Sequence, residues 1–330
     1  TPPAEPDPSP SEPTAPVTPP SVTPFTHGAK GFIASAHLHY LGAMAPLETL
    51  RERMGDIHLG LAQEGVVTPW AKVEASDWRV TPALTPNRWH LQLRHAKVGA
   101  DYRFNPTSLV GGYLAYTDLE AKGLPETSAR GYGVEAGAYL TLLSENHTFM
   151  DLVGRVGQIT SKFATVDTLG APVSARNLDT PYVGLNLTVG RQVALTEHVF
   201  AEPMAFVGYT HFGHMSGTTD AGLAAKTDRY ASLLTQLGST IEGRFTTPTG
   251  RPWVVFAKAA WEKEWLADTS IRFNGGHAYA LDLKDSRFVY GLGAEGRLGK
   301  ASTWHIDVQR TTGERFRANW EVNANVRIPF

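Results

Sequence analysis

The sequence contains no cysteine, no long apolar run and no excess of either charge. Without cysteine, its 330 residues offer no disulfide, no thiolate metal ligand and no cysteine nucleophile. No stretch approaches the roughly 20 uninterrupted apolar residues that a transmembrane helix requires. The formal net charge of −2 argues against nucleic acid as a partner, because such proteins carry a basic face. These absences argue against a disulfide-linked protein, a helical membrane protein and a nucleic-acid-binding protein.

Proline is concentrated at the N-terminus, where it alternates with Ser, Thr, Glu and Asp. Proline fixes φ and removes a backbone donor, so this stretch cannot form a strand ladder or a buried core. We predict that residues 1–30 are a proline-rich disordered linker. The first residues, TPPAEPDPSP, lack the features of a signal peptide, so we expect a processed product or a piece of a longer precursor.

Residues 31–66 are predicted to continue the linker and to include one helix, at about 43–58. Pro46 suits the first turn of a helix, and Gly60 can end it. The simplest interpretation is a short surface helix. Its charged side chains are Glu48, Arg51, Glu52 and Arg53.

From 67 to 330 the sequence alternates apolar and polar residues, which places the two sets on opposite faces of strands. The last segment has one apolar face: Trp320, Val322, Ala324, Val326, Ile328 and Phe330. The other face carries Glu321, Asn323, Asn325 and Arg327. Twelve strands are predicted, at about 68–80, 87–104, 108–118, 129–143, 147–166, 178–193, 197–212, 230–246, 251–272, 277–299, 302–311 and 317–330.

Two features favour a membrane barrel over a soluble β-sandwich, which also shows alternation. Charges and glycines lie in the middle of strands, where a closed barrel can turn them toward water while apolar side chains face lipid. Trp253 and Trp261 lie eight residues apart on one face, which is roughly 20 Å of height in a tilted strand and close to the spacing of two interfacial girdles. We predict an all-β fold, a twelve-stranded antiparallel transmembrane β-barrel.

Several segments also resemble a known family by their order and spacing. The chain from 31 to 330 is similar to the C-terminal β-domain of autotransporters (type V secretion), and especially to pertactin-like translocators. The helix segment LETLRERMGDIH resembles the family's pore-spanning helix. Six further segments resemble strands of the family's barrel: GVVTPWAKVEAS, LVGGYLAYTD, ARGYGVEAGAYLTLL, MDLVGRVGQITSKF, VFAEPMAFVGYTHF and NWEVNANVRIPF.

The resemblance implies an integral outer-membrane barrel of a Gram-negative bacterium, with the helix inside the pore, that secretes an upstream passenger to the cell surface. It implies as partners the passenger, the barrel-assembly machinery, periplasmic chaperones and outer-membrane lipid or lipopolysaccharide, with no enzyme activity, cofactor or metal. Some members cut the passenger off at paired asparagines, but residues 31–60 contain no asparagine. We therefore do not expect that cleavage. A stand-alone porin or adhesin remains an alternative.

Inward-facing charges form the predicted lumen, where a threaded helix would pair with them. They are Lys72, Glu74, Glu135, Asp151, Arg155, Glu202, Glu242, Arg244, Lys258, Glu262, Glu295, Arg297, Asp307, Glu321 and Arg327. The resemblance also implies that the last strand is an assembly signal, which would be read by strand addition. Its residues in this role are Trp320, Val322, Val326, Ile328 and Phe330.

One segment, HFGHMSGTTD, keeps a barrel hydrolase open as a less favoured alternative. It places His211, His214 and Ser216 close together, with Asp220 nearby. The asparagine that follows the serine in similar lipid hydrolases is replaced by Gly217. A serine nucleophile needs a base and an orienting acid within reach, so a chance match is the simpler interpretation.

Overall fold

The computed structural model describes residues 25–47, 64–85, 87–248, 250–298 and 302–328. They form one helix, α1 (His27–Met44), and seventeen strands. The strands are β1 (Val67–Val80), β2 (Trp89–Asn105), β3 (Ser108–Lys122), β4 (Ser128–Leu143), β5 (Thr148–Val166), β6 (Pro172–Arg191), β7 (Val193–Ala194), β8 (Val199–Phe212), β9 (Ser216–Thr218), β10 (Ala224–Thr227), β11 (Tyr230–Thr246), β12 (Pro252–Glu264), β13 (Asp268–Phe273), β14 (Ala278–Asp282), β15 (Ser286–Arg297), β16 (Thr303–Thr312) and β17 (Phe316–Arg327).

The twelve long strands form a closed antiparallel barrel, which confirms the predicted fold. Each long strand pairs with its neighbour along the chain, in the order β1 to β6, β8, β11, β12, β15, β16 and β17. Strand β17 returns to β1, where Val73 lies opposite Ala324. Closure leaves no unpaired sheet edge, which a bilayer requires because lipid cannot satisfy backbone hydrogen bonds. The short β7 continues the wall beside β8.

Two predicted strands were wrong in their extent, because the chain leaves the barrel wall within each of them. The predicted strand 251–272 divides into β12 and β13, and the predicted strand 277–299 divides into β14 and β15. The bend follows Glu264, whose carboxylate accepts hydrogen bonds from the amides of Leu233 (2.9 Å) and Leu266 (3.2 Å). Strands β14, β13, β10 and β9 form a separate four-stranded sheet in that order. We call the end of the barrel that carries this small sheet the loop end. The opposite end, where β1 begins and β17 ends, is the turn end.

The described helix lies upstream of the predicted one. Helix α1 begins after Thr26, whose side chain caps the Ala29 amide at 3.3 Å, so 27–30 belong to the helix and not to the predicted linker. It ends at Met44, so 45–47 of the predicted helix lie beyond its end. Residues 48–58, with Glu48, Arg51, Glu52 and Arg53, lie outside the described residues. No helix among the described residues is long and apolar enough to span a membrane.

The barrel interior has two zones, a division that the sequence pattern does not indicate. The zone toward the loop end is apolar and surrounds α1 with side chains that include Trp78, Trp89, Leu91, Leu93, Leu119, Ile159, Phe163, Leu178, Phe212 and Phe316. The zone toward the turn end is charged and holds buried Lys72, Glu74, Asp101, Glu202, Glu242, Glu295, Asp307 and Arg327. The predicted wet lumen therefore corresponds to only part of the interior.

Candidate functional site

The predicted lumen residues are buried or half-buried, while the residues that alternate with them are mostly exposed or half-buried on the outer wall. Buried in this set are Lys72, Glu74, Asp151, Arg155, Glu202, Glu242, Glu295, Asp307, Glu321 and Arg327. Half-buried are Glu135, Arg244, Lys258, Glu262 and Arg297. Their function in lining a pore remains a prediction.

Helix α1 is enclosed by the barrel, with sixteen of its eighteen residues buried and no Asp, Glu, Lys or Arg after Lys30. Phe32 packs edge-on against Phe163 at a ring distance of 5.0 Å and lies 6.4 Å from Phe273 of the small sheet. Gly31 lets the helix approach this wall, since a Cβ there would lie 2.4 Å from the Phe163 ring. The apolar zone therefore fixes α1 by shape as well as by burial.

The buried side chains of His39 and Tyr40 in α1 form hydrogen bonds to the barrel wall. The ring of His39 contacts the hydroxyls of Thr180 (2.7 Å) and Ser161 (2.8 Å). The hydroxyl of Tyr40 donates to Glu264 at 3.0 Å, and Ser232 donates to the same carboxylate at 2.5 Å. These bonds satisfy polar groups that would otherwise be costly to bury. They set the depth of the helix in the barrel.

Arg155 of β5 holds the C-terminal end of α1. Its Nη1 donates to the Ala43 carbonyl at 2.7 Å and to Glu135 at 3.0 Å, and its Nη2 donates to Thr210 at 2.7 Å. The last carbonyls of a helix lack partners within the helix and carry partial negative charge, so an arginine there is favourable. The Arg155 side chain is 2% exposed and that of Glu135 is 10% exposed. This buried ion pair thus joins two barrel strands to the helix end.

The sequence predicted Arg155 and Glu135 as interior residues, but not their contact with this helix. It missed His39 and Tyr40 altogether. The only signal for them was the presence of two histidines and a tyrosine in the segment IASAHLHYLGAM, which has no formal charge. That segment lacks the period of an amphipathic helix, and period is what sequence analysis detects.

Charged side chains of the charged zone contact one another both within strands and across the barrel interior. Lys258 contacts Asp307 at 2.8 Å, and His305 lies between Asp307 (3.0 Å) and Glu295 (3.2 Å). Arg244 contacts Glu242 at 2.7 Å. Pairing compensates part of the cost of removing these charges from water. The charged zone is therefore a cross-linked polar wall and not a set of isolated charges.

The last strand keeps the predicted alternation only in its second half. Trp320 and Ile328 are exposed on the outer wall, Val322 and Val326 are half-buried, and Phe330 lies outside the described residues. Opposite Asp77 and Trp78 the register shifts by one residue at Asn319, whose amide donates to Asp77 at 2.6 Å. This bulge allows Phe316 to face the apolar zone and Glu321 the charged zone.

The residues of the hydrolase alternative are not assembled into a triad. Ser216 and His211 are exposed on the outer surface. Asp220 instead accepts hydrogen bonds from the amide (2.8 Å) and hydroxyl (2.9 Å) of Ser174, which hold its pKa below the usual range. Among the described ranges, no cluster of three metal-ligating side chains occurs. Through its hydrogen bonds to Ser174, Asp220 therefore stabilises the conformation of its loop.

Acid is expected to loosen the small sheet through Asp228, which joins β10 to β11. Hydrogen bonds from Ser270 (2.5 Å) and Arg272 (2.6 Å) hold the pKa of Asp228 below its usual range. Its stabilisation is present above the unfolded pKa of about 3.9 and is lost as pH falls through the lower folded pKa. Because the pair is half exposed, the effect on stability should be below about 1 kcal/mol.

Hydrogen exchange of the β13 amides, expressed as protection relative to the intrinsic exchange rate at each pH, measures this effect. Protection should decrease below about pH 4 in the native chain. In Asp228→Asn protection should be low and nearly independent of pH. The control Asp167→Asn alters another loop carboxylate and should behave like the native chain. An unchanged pH profile in Asp228→Asn would contradict this prediction.

The family model for the autotransporter beta-domain matches residues 70–309. The beta domain of the Bordetella autotransporter BrkA has 21% identity, covers 80% of this chain and 100% of its own, and superposes with a TM-score of 0.68. The translocator domain of NalP from Neisseria meningitidis gives 13% identity, coverage of 84% and 94%, and a TM-score of 0.62. At these identities the structural matches establish the fold alone.

A curated relative extends well beyond the region that it shares with this chain. The serine protease EatA of Escherichia coli O78:H11 is 23% identical over 305 residues, which are 88% of this chain and 21% of the relative. The chain thus spans about a fifth of that relative's length. The family match covers most of the barrel, whose twelve-stranded wall and enclosed helix fit it. This chain therefore belongs to the autotransporter beta-domain family, as an integral translocator barrel of the bacterial outer membrane.

Proposed function

We propose that this barrel secretes a passenger joined to its N-terminus and then retains α1 in the pore. The enclosure of α1 by the barrel wall is the observation that supports this most. The N-terminal side of the helix lies at the loop end, where Phe25 packs edge-on against Tyr279 of the small sheet at 4.9 Å. Long connections mark the extracellular end of outer-membrane barrels. Chain upstream of Phe25 would therefore lie at the cell surface.

The charged zone would form the aqueous part of the translocation path. An extended chain in transit exposes backbone groups that need water or polar partners, and the charged zone supplies both. The apolar zone would instead close the pore once α1 occupies it. Charges at Glu48, Arg51, Glu52 and Arg53 are proposed to pair with carboxylates and cations of the charged zone.

The remaining partners are proposed on general grounds. The exposed apolar side chains of β17 suit recognition by the barrel-assembly machinery through strand addition. Periplasmic chaperones would keep the strands from aggregating before insertion, since unpaired apolar strands associate readily. Lipid or lipopolysaccharide would surround the finished wall. We propose that the barrel itself has no catalytic activity and needs no cofactor.

Conductance in planar bilayers tests whether α1 closes the pore. Deletion of residues 1–47 should raise the conductance several-fold over that of the full chain, because the apolar zone would lose the helix that fills it. Deletion of residues 1–24 alone is the matched control and should leave conductance low. Equal conductance for both deletions would contradict the proposal and favour a stand-alone porin.

A further inference from the structure

The outer wall of the barrel carries a continuous groove across β4, β5, β6 and β8. Its lower part has a volume of about 630 Å³ and is lined by small or apolar side chains, among them Ala136, Ala138, Gly154, Leu185 and Tyr209. An added Cβ at Gly154 would meet no atom within 4 Å, so the groove is open at this point. This part of the wall faces the hydrocarbon of the membrane.

The upper part of the groove is polar and lies toward the loop end. It has a volume of about 640 Å³ and shares Val156, Val183 and His211 with the lower part. Its polar lining residues are Asn177, Asp179, His211, His214, Ser216 and Arg229. The two parts together form the outer groove, which is apolar at membrane depth and polar above it.

One exposed cation, Arg229, lines the polar part, and two more lie beside it. Arg229 is exposed, and the register of β5 and β6 places exposed Lys162 opposite Arg176 and Asn177, at a bulge between the two strands. Within the described residues, no ion-pair partner is found for these three cations. Asp179 is the acidic lining residue, and its carboxylate already accepts a hydrogen bond from Thr160 at 2.6 Å. The local charge is therefore complementary to an anion.

We infer that the outer groove binds lipopolysaccharide, with an acyl chain over Gly154 and a lipid A phosphate beside Arg229. The inference rests on the extracellular position of the loop end in the proposed function, since lipopolysaccharide occupies the outer leaflet. A lipid A phosphate carries no amine of its own, whereas the phosphate of phosphatidylethanolamine is neutralised internally. The exposed Arg229 matches the first chemistry better. Arginine binds phosphate oxygens through charge-assisted hydrogen bonds.

The test measures how much deep-rough lipopolysaccharide the full chain retains in detergent, by native mass spectrometry. Arg229→Gln should weaken retention about tenfold, the usual effect of losing one charge-assisted hydrogen bond. Gly154→Leu should remove most of the retained lipid by filling the groove. The native chain should retain dephosphorylated lipopolysaccharide as poorly as Arg229→Gln retains the intact form.

Two matched substitutions on the far side of the barrel serve as controls. Ala257→Leu enlarges an exposed outer-wall residue of β12, and Arg310→Gln removes an exposed cation of β16, so both should retain lipid like the native chain. Native retention by both groove variants would overturn the inference, as would equal competition by phosphatidylethanolamine. The experiment measures lipid retention in detergent and does not measure secretion. A negative result would therefore not contradict the proposed secretory function, and a loss of secretion would not by itself alter lipid retention.

Discussion

Replacing Arg155 with methionine is expected to lower the free energy of unfolding of the barrel by about 3–5 kcal/mol, the usual cost of removing one partner of a buried ion pair. The Glu135 carboxylate would remain buried without its cation, although Tyr113 (2.7 Å) and Tyr182 (2.8 Å) still donate to it. The Ala43 carbonyl at the end of α1 would lose its partner as well. Urea titration of the barrel in lipid vesicles measures the change.

A second variant separates the ion pair from simple loss of side-chain volume. The double variant Arg155→Met with Glu135→Gln removes both partners of this ion pair, so it should recover a large part of the lost stability. Arg310→Met alters an exposed arginine on the outer wall and should change stability by less than about 0.5 kcal/mol. Equal losses in the single and double variants would show that the ion pair does not stabilise the helix end.

The barrel was predictable because side chains along each long strand alternate between two environments, the outer wall and the barrel interior. Val322 and Asn323 show it directly, since their exposure differs although they are adjacent. Positions where this alternation changes were not predictable. At Asn319 a bulge reverses the parity of β17, and at Arg176 and Asn177 a bulge does the same in β6. A bulge adds one residue without a composition that marks it, so only the register reveals it.

The helix and the division of the interior escaped prediction for a related reason. Trp89, Leu91 and Leu93 alternate with polar residues as lipid-facing side chains would, yet they face the interior around α1. Alternation alone cannot distinguish a side chain that faces lipid from one that faces an apolar core, because both surroundings are apolar. Since α1 has few polar residues and almost all of them are buried, it also lacks the solvent-exposed polar face that marks most helices. In the structure the apolar side chains of the wall are buried against α1, and α1 is buried against them.

Truncation of Phe32 to alanine is expected to release α1 from the apolar zone. Phe32 is fully buried between the β5 wall and the small sheet, and loss of a buried phenylalanine costs about 3–5 kcal/mol. Because the chain contains no cysteine, a single Ala36→Cys in the buried part of α1 provides a unique reporter. Its maleimide labelling in the folded barrel should be slow in the native background and about 100-fold faster with Phe32→Ala.

The control is Phe288→Ala, which removes an exposed ring from the lipid side of β15. Labelling at position 36 should stay slow in this control, because the wall around α1 is unchanged. If Phe32→Ala also labels slowly while the barrel remains folded, polar contacts such as Tyr40 to Glu264 hold the helix without the aromatic packing. Fast labelling confined to Phe32→Ala would instead assign closure of the pore to the fit between an apolar helix and an apolar wall, since the ion pair at Arg155 is intact in both variants.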